Sequence, residues 1–74
     1  MNYLIEALVK RLEGEIAVAK ANIDVYTKNS AGIGEHPDIV EAIETQVAKI
    51  AEAEDKLNVC KSHYGGTSSY VRNK

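Results

Sequence analysis

Two stretches of this chain carry residues whose types could do chemistry. The first is Asn29–Asp38, Asn-Ser-Ala-Gly-Ile-Gly-Glu-His-Pro-Asp. Gly32 and Gly34 let backbone N–H groups approach a ligand closely, and the first turn of a following helix adds more donors, which together suit an anion or nucleotide. His36 adds a polar ring, whereas Glu35 and Asp38 oppose a bare phosphate by repulsion. The same residues also serve simply to end one helix and begin another, with Gly32 and Gly34 in the return and Pro37 in the first turn of the second helix. Both readings stay open. The second stretch is the C-terminal tail. Tyr64 and Tyr70 could stack on a base, Thr67, Ser68 and Ser69 could donate hydrogen bonds, and Arg72 could pair with phosphate. The alternative for the tail is an unpacked terminus.

Signals for catalysis are weak. The chain has no phosphate-binding loop, dinucleotide fingerprint or nucleophile elbow. Cys60 and His63 have i, i+3 spacing, but His36, the remaining nitrogen ligand, belongs to the other end of the chain's fold, so a zinc site within one chain is not expected. As a catalytic pair they lack a third group to orient them, and Cys60 reads more simply as a small core residue. Glu13 with Glu15, and Glu52 with Glu54, fall on different helix faces and look like solvation. The expectation is a non-enzyme with no catalytic residues, no metal and no cofactor.

The elements that would position these groups are two long helices. Ile5, Val9, Leu12, Ile16, Ala19, Ile23 and Tyr26 follow alternating steps of four and three, a complete coiled-coil seam. In the second half Ile43, Ile50, Leu57 and Tyr64 repeat with period seven. Ile39, Ala53 and Cys60 flank one side, Val40 and Val47 the other, and Gln46 is a possible buried polar group. The spacing predicts a helix over about 2–28, a turn over 29–36 and a helix over about 37–64, with Gly65 and Gly66 stopping the second helix. Residues 65–74 form a Gly/Ser-rich basic tail. A connection this short returns the second helix antiparallel to the first. The fold class is therefore all-α, an antiparallel two-helix hairpin over residues 1–64. One seam does not consume all the apolar surface. Leu4, Leu8, Val18 and Val25, with Val40 and Val47, remain for an interface, and a core this small gains from self-association into a dimeric four-helix bundle or a higher oligomer. Gly14, inside the first helix, costs about 1 kcal/mol relative to alanine and reads as a close-packing point. Glu6–Lys10, Asp24–Lys28 and Glu52–Lys56 are spaced for ion pairs along a helix.

The totals narrow the class of partner. The 74 residues carry a net charge of −2, spread unevenly. Residues 1–30 are balanced, 31–60 are strongly acidic, and 61–74 hold three positive side chains and no negative one. No cluster of Lys and Arg suits duplex nucleic acid. No apolar run approaches the roughly 20 residues of a membrane span, and the N-terminus lacks the pattern of a signal peptide. A single cysteine excludes an internal disulfide and fits a reducing cytoplasm.

The run Gly32-Ile33-Gly34-Glu35-His36-Pro37-Asp38-Ile39-Val40-Glu41-Ala42-Ile43, entered from Val25-Tyr26-Thr27-Lys28-Asn29, resembles small helical-hairpin proteins encoded by tailed bacteriophages. The resemblance covers most of residues 4–60 and leaves the tail uncovered. The architecture is also similar to phage anti-defence sponges, small helical oligomers that sequester cyclic-nucleotide or cyclic-ADP-ribose immune signals between subunits. No individual binding residue carries over. The resemblance implies a cytoplasmic homo-oligomer binding a small nucleotide signal, with the glycine connection or the tail as the site. The alternative is a protein-interaction module that inhibits or scaffolds a host or phage protein through its exposed apolar stripe.

Overall fold

The computed structural model describes residues 2–28 and 38–65. Among these the chain is all helical, with no strand: α1 spans Tyr3–Lys28 and α2 spans Asp38–Tyr64. The turn and cap roles expected of Gly32, Gly34 and Pro37, and the stop expected of Gly66, lie outside the described residues.

Helix α1 begins at a cap that its sequence pattern hides. The Asn2 side-chain oxygen accepts a hydrogen bond from the Ile5 N–H at 2.8 Å, and the Asn2 carbonyl accepts from the Glu6 N–H at 2.9 Å. Asparagine is among the best residues for this position because it satisfies a donor that the first turn leaves orphaned. At the far end Lys28 lies in the last turn, where positive charge meets the negative end of the helix dipole. Helix α2 has the same polarity, with Asp38 and Glu41 in its first turn and Lys61 and His63 in its last. It ends at Gly65 for a steric reason. A Cβ there would collide with the carbonyl oxygen of Lys61 and come within 2.9 Å of its Cα, so glycine is the residue that lets the chain fold back this tightly.

The helices pack against each other along most of their length. Val9, Leu12, Ala53 and Cys60 form the buried core, with Ile5, Ile16 and Leu57 half-buried against it. That places the start of α1 beside the end of α2. At the other end Asn22 of α1 bonds to Gln46 of α2. The two helices are therefore antiparallel.

The α1 seam is the expected one, with Val9, Leu12 and Ala19 buried and Ile5, Ile16, Ile23 and Tyr26 half-buried. On α2 the expected line is displaced. Its buried residues are Gln46, Ala53 and Cys60, which the sequence pattern set at the margins, while Ile39, Ile43, Ile50 and Leu57 are half-buried. Tyr64 is 58% exposed and does not belong to the seam. The physical reason is size matching. Ala53 and Cys60, both small, sit in the core shared with Val9 and Leu12, Gln46 is held there by its bond to Asn22, and the bulky aliphatics close the sides.

The core is small. Its buried hydrophobic residues are Val9, Leu12, Ala19, Ala53 and Cys60. It is also uneven, because the layer nearer the connection is polar. Gln46 is only 8% exposed, and its Oε1 accepts a hydrogen bond from Asn22 Nδ2 at 3.1 Å. A buried amide pair of this kind contributes less than hydrophobic packing but fixes the register, because any slip leaves both groups unpaired.

Candidate functional site

Helix α1 carries a second set of evenly spaced residues facing away from the seam. Leu4, Ala7, Arg11, Gly14, Val18, Ala21 and Val25 alternate steps of three and four, and every one is exposed. Leu8 runs beside them. They lie on one face of the helix. Sequence inspection picked out Leu4, Val18 and Val25 and passed over Ala7, Arg11 and Ala21. The signal was the repeat itself, which remains regular through its small residues.

Exposure along this face is high for aliphatic side chains: Leu4 is 66% exposed and Val18 62%, with Val25 and Leu8 less so. Gly14 corrects an expectation. It is not a packing point within the chain, since a Cβ added there would find no atom within 4 Å. Its helix-weakening effect is therefore not offset by any contact that α2 makes.

Val40 and Val47 are also exposed, but they do not extend this face. By helical register they follow the seam residues Ile39 and Gln46 by one position, which turns them to the flank opposite the one occupied by Lys49 and Lys56. The six apolar residues expected to form an interface thus fall on two separate surfaces, with the larger share on α1.

On the α1 flank the two helices enclose an open groove of about 650 Å³. Helix α1 contributes Arg11, Gly14, Glu15, Val18 and Asn22 to its wall, and α2 contributes Gln46, Lys49, Glu52 and Lys56. Two ion pairs lie along its rims, Arg11–Glu15 at 3.4 Å and Lys56–Glu52 at 3.3 Å. Both are well exposed and contribute at most about a few tenths of a kcal/mol. Lys49 makes no ion pair among the described residues, so the groove holds one cation in excess. The pairs Glu6–Lys10 and Asp24–Lys28, although spaced for contact, are not closed among the described residues.

Of the ligand-binding residues expected from sequence, Gly32, Gly34 and His36 in the connection and Thr67, Ser68, Ser69, Tyr70 and Arg72 in the tail lie outside the described residues. Tyr64 is placed at the end of α2, exposed, with its ring centroid 6.2 Å from that of His63 and tilted against it. Cys60 is buried in the core, on the helix that carries exposed His63. No group of three or more potential metal ligands occurs among the described residues, and no described helix is long and apolar enough to cross a membrane. Compared with known protein families, curated proteins and solved structures, the chain matches none.

Proposed function

We propose that this chain is a non-catalytic interaction module that binds through the outward face of α1. The observation that carries the reading is the exposed repeat centred on Gly14. Leu4, Val18 and Val25 are solvated aliphatic side chains at helical spacing, and between them lie Ala7, Arg11, Gly14 and Ala21, of which the alanines and the glycine let another helix approach closely. A surface like this on a chain with so small a core is more costly in water than when covered. Its partner is a helix of complementary shape, on a protein or on another copy of the chain. The test compares size-exclusion profiles and partner capture for the unaltered chain with those of Leu8→Asp, Val18→Asp and Val47→Asp. Loss of association in the two α1 variants, with Val47→Asp unaffected, supports the reading. Unchanged association in both α1 variants overturns it.

A second reading has its own support in the groove. Its volume falls within the range of small-molecule sites, about 300–1,000 Å³. Lys49 offers an unpaired charge, and Asn22 and Gln46 offer amides. This is the reading in which a homo-oligomer sequesters a small cyclic nucleotide or cyclic-ADP-ribose signal, as the resemblance to phage anti-defence sponges implies. Calorimetric titration with cyclic di- and trinucleotides and cyclic ADP-ribose isomers tests it. Binding weakened by Lys49→Ala places the ligand in the groove. Binding weakened by joint replacement of Tyr64, Tyr70 and Arg72 places it at the tail. No heat with any of these compounds removes the reading.

A further inference from the structure

We propose that the occupant of the α1 face is a second copy of this chain, packed with its α1 antiparallel about a two-fold axis at Gly14. The proposal rests on the interaction-module reading above and names the partner of the same surface.

The first ground is self-complementarity. A two-fold contact requires one surface patch to match itself. Numbered outward from Gly14, the exposed repeat is close to a mirror image in residue size. Antiparallel pairing sets Leu4 against Val25 of the partner subunit and Ala7 against the partner's Ala21. Arg11 then lies against the partner's Val18, and the two Gly14 residues meet. Outward from the paired glycines, Arg11 meets Val18, then alanine meets alanine, then Leu4 meets Val25. Parallel pairing would stack each residue on its own copy and crowd the two Arg11 guanidiniums together.

The second ground is charge. Within about one turn of Gly14 the helix carries Lys10, Arg11, Glu13 and Glu15, all exposed, and Arg11 and Glu15 are already paired within each chain at 3.4 Å. Two copies bring equal numbers of positive and negative groups together, with no net charge. Along an antiparallel pair, each Arg11 is nearer in height to the partner's Glu15 than to its own, so the pairs can close across the interface. The outward surface of α2 offers no such match. Glu41, Glu44, Glu54 and Asp55 make it acidic, so two α2 faces repel.

The third ground is extent. Helix α1 has 26 residues and is about 39 Å long, so the repeat runs almost its whole length. The exposed aliphatic residues supply on the order of half the roughly 800 Å² that each partner buries in a standard stable interface. Alanine methyl groups, glycine backbone and the Arg11 stem supply more, giving the mixed polar and apolar character typical of such contacts. The product is a four-helix bundle with the α1 helices inside and the acidic α2 surfaces in water.

Site-specific disulfide trapping tests the arrangement, with Cys60→Ala as background so that each variant carries one thiol. Gly14→Cys should give a covalent dimer under mild oxidation even though the added side chain weakens the non-covalent contact, because a disulfide needs Cβ atoms about 4 Å apart and this position alone meets itself at the axis. Leu4→Cys mixed with Val25→Cys should cross-link, while each alone should cross-link at least tenfold less. Asp55→Cys, on the outer side of α2, should stay monomeric. Circular dichroism confirms that each variant keeps its helix content. Absence of the Gly14→Cys dimer, or cross-linking of Leu4→Cys alone as efficiently as the mixture, overturns the two-fold. If Val18→Asp still abolishes association in that case, the two-fold fails and the interaction face stands. If Val18→Asp leaves association intact, both fail.

Discussion

Replacing Gly14 with alanine should raise stability more at low protein concentration than at high. In a single hairpin the new methyl group meets nothing within 4 Å. The only terms left are helix propensity and the smaller entropy of the unfolded alanine chain, and both favour the variant. Together they are worth about 1 kcal/mol, which in a domain of this size raises the melting temperature by about 4–8 °C. In the proposed two-fold dimer the same methyl group would enter the contact between two helices. If that interference costs the dimer about 1.4 kcal/mol, its dissociation constant rises tenfold. The assay is thermal unfolding followed by circular dichroism over a dilution series, with sedimentation at the concentrated end. The variant should melt higher than the unaltered chain when dilute, and this advantage should shrink when concentrated. A lower melting temperature at dilution would refute the reasoning, because it would mean that Gly14 is already packed within one chain.

Other substitutions probe the hairpin itself. Leu12→Ala should cost about 2–5 kcal/mol, enough to unfold much of a chain whose core is this small, and loss of the helical signal at room temperature is the readout. Asn22→Ala should cost about 1 kcal/mol by removing the donor to buried Gln46, measured as a lower urea midpoint with unchanged slope. Gln46→Leu should do the reverse and raise the urea midpoint by about 1 kcal/mol equivalent, since an aliphatic side chain suits that layer better than an amide. The same variant should loosen the helix register, visible as broadened amide resonances for Ala19 and Asn22. Sharp resonances at those positions would show that the amide pair does not set the register.

Much of the hairpin was legible in the sequence because its strongest signal is periodic. The four-three spacing from Ile5 to Tyr26 leaves one way for a long helix to bury those residues, and a short connection then dictates the return. The α2 seam was less legible because its central residues are small or polar. Ala53, Cys60 and Gln46 carry little weight in a search for hydrophobic repeats, whereas Ile43, Ile50, Leu57 and Tyr64 dominate it. Yet the closest line between two helices favours small side chains, so the bulkiest set marked the margins of the contact and not its centre. Asn2 was overlooked as a cap because its partners are backbone groups that no side-chain pattern reveals. Arg11–Glu15 closed while Glu6–Lys10 did not, although the sequence favours the latter order. Exposed pairs contribute so little that spacing alone does not select among them. Gly14 shows the limit most clearly. Its position suggested close packing, but whether anything packs there depends on surfaces beyond a single chain.

Native mass spectrometry of the chain purified from cells tests the central claim most directly, because it counts subunits and registers any retained small molecule together. Self-association through α1 predicts a species of twice the 8.1 kDa chain mass with nothing added, which Val18→Asp converts to monomer. A chain that stays monomeric at every concentration would contradict the account, as would a dimer indifferent to Val18→Asp.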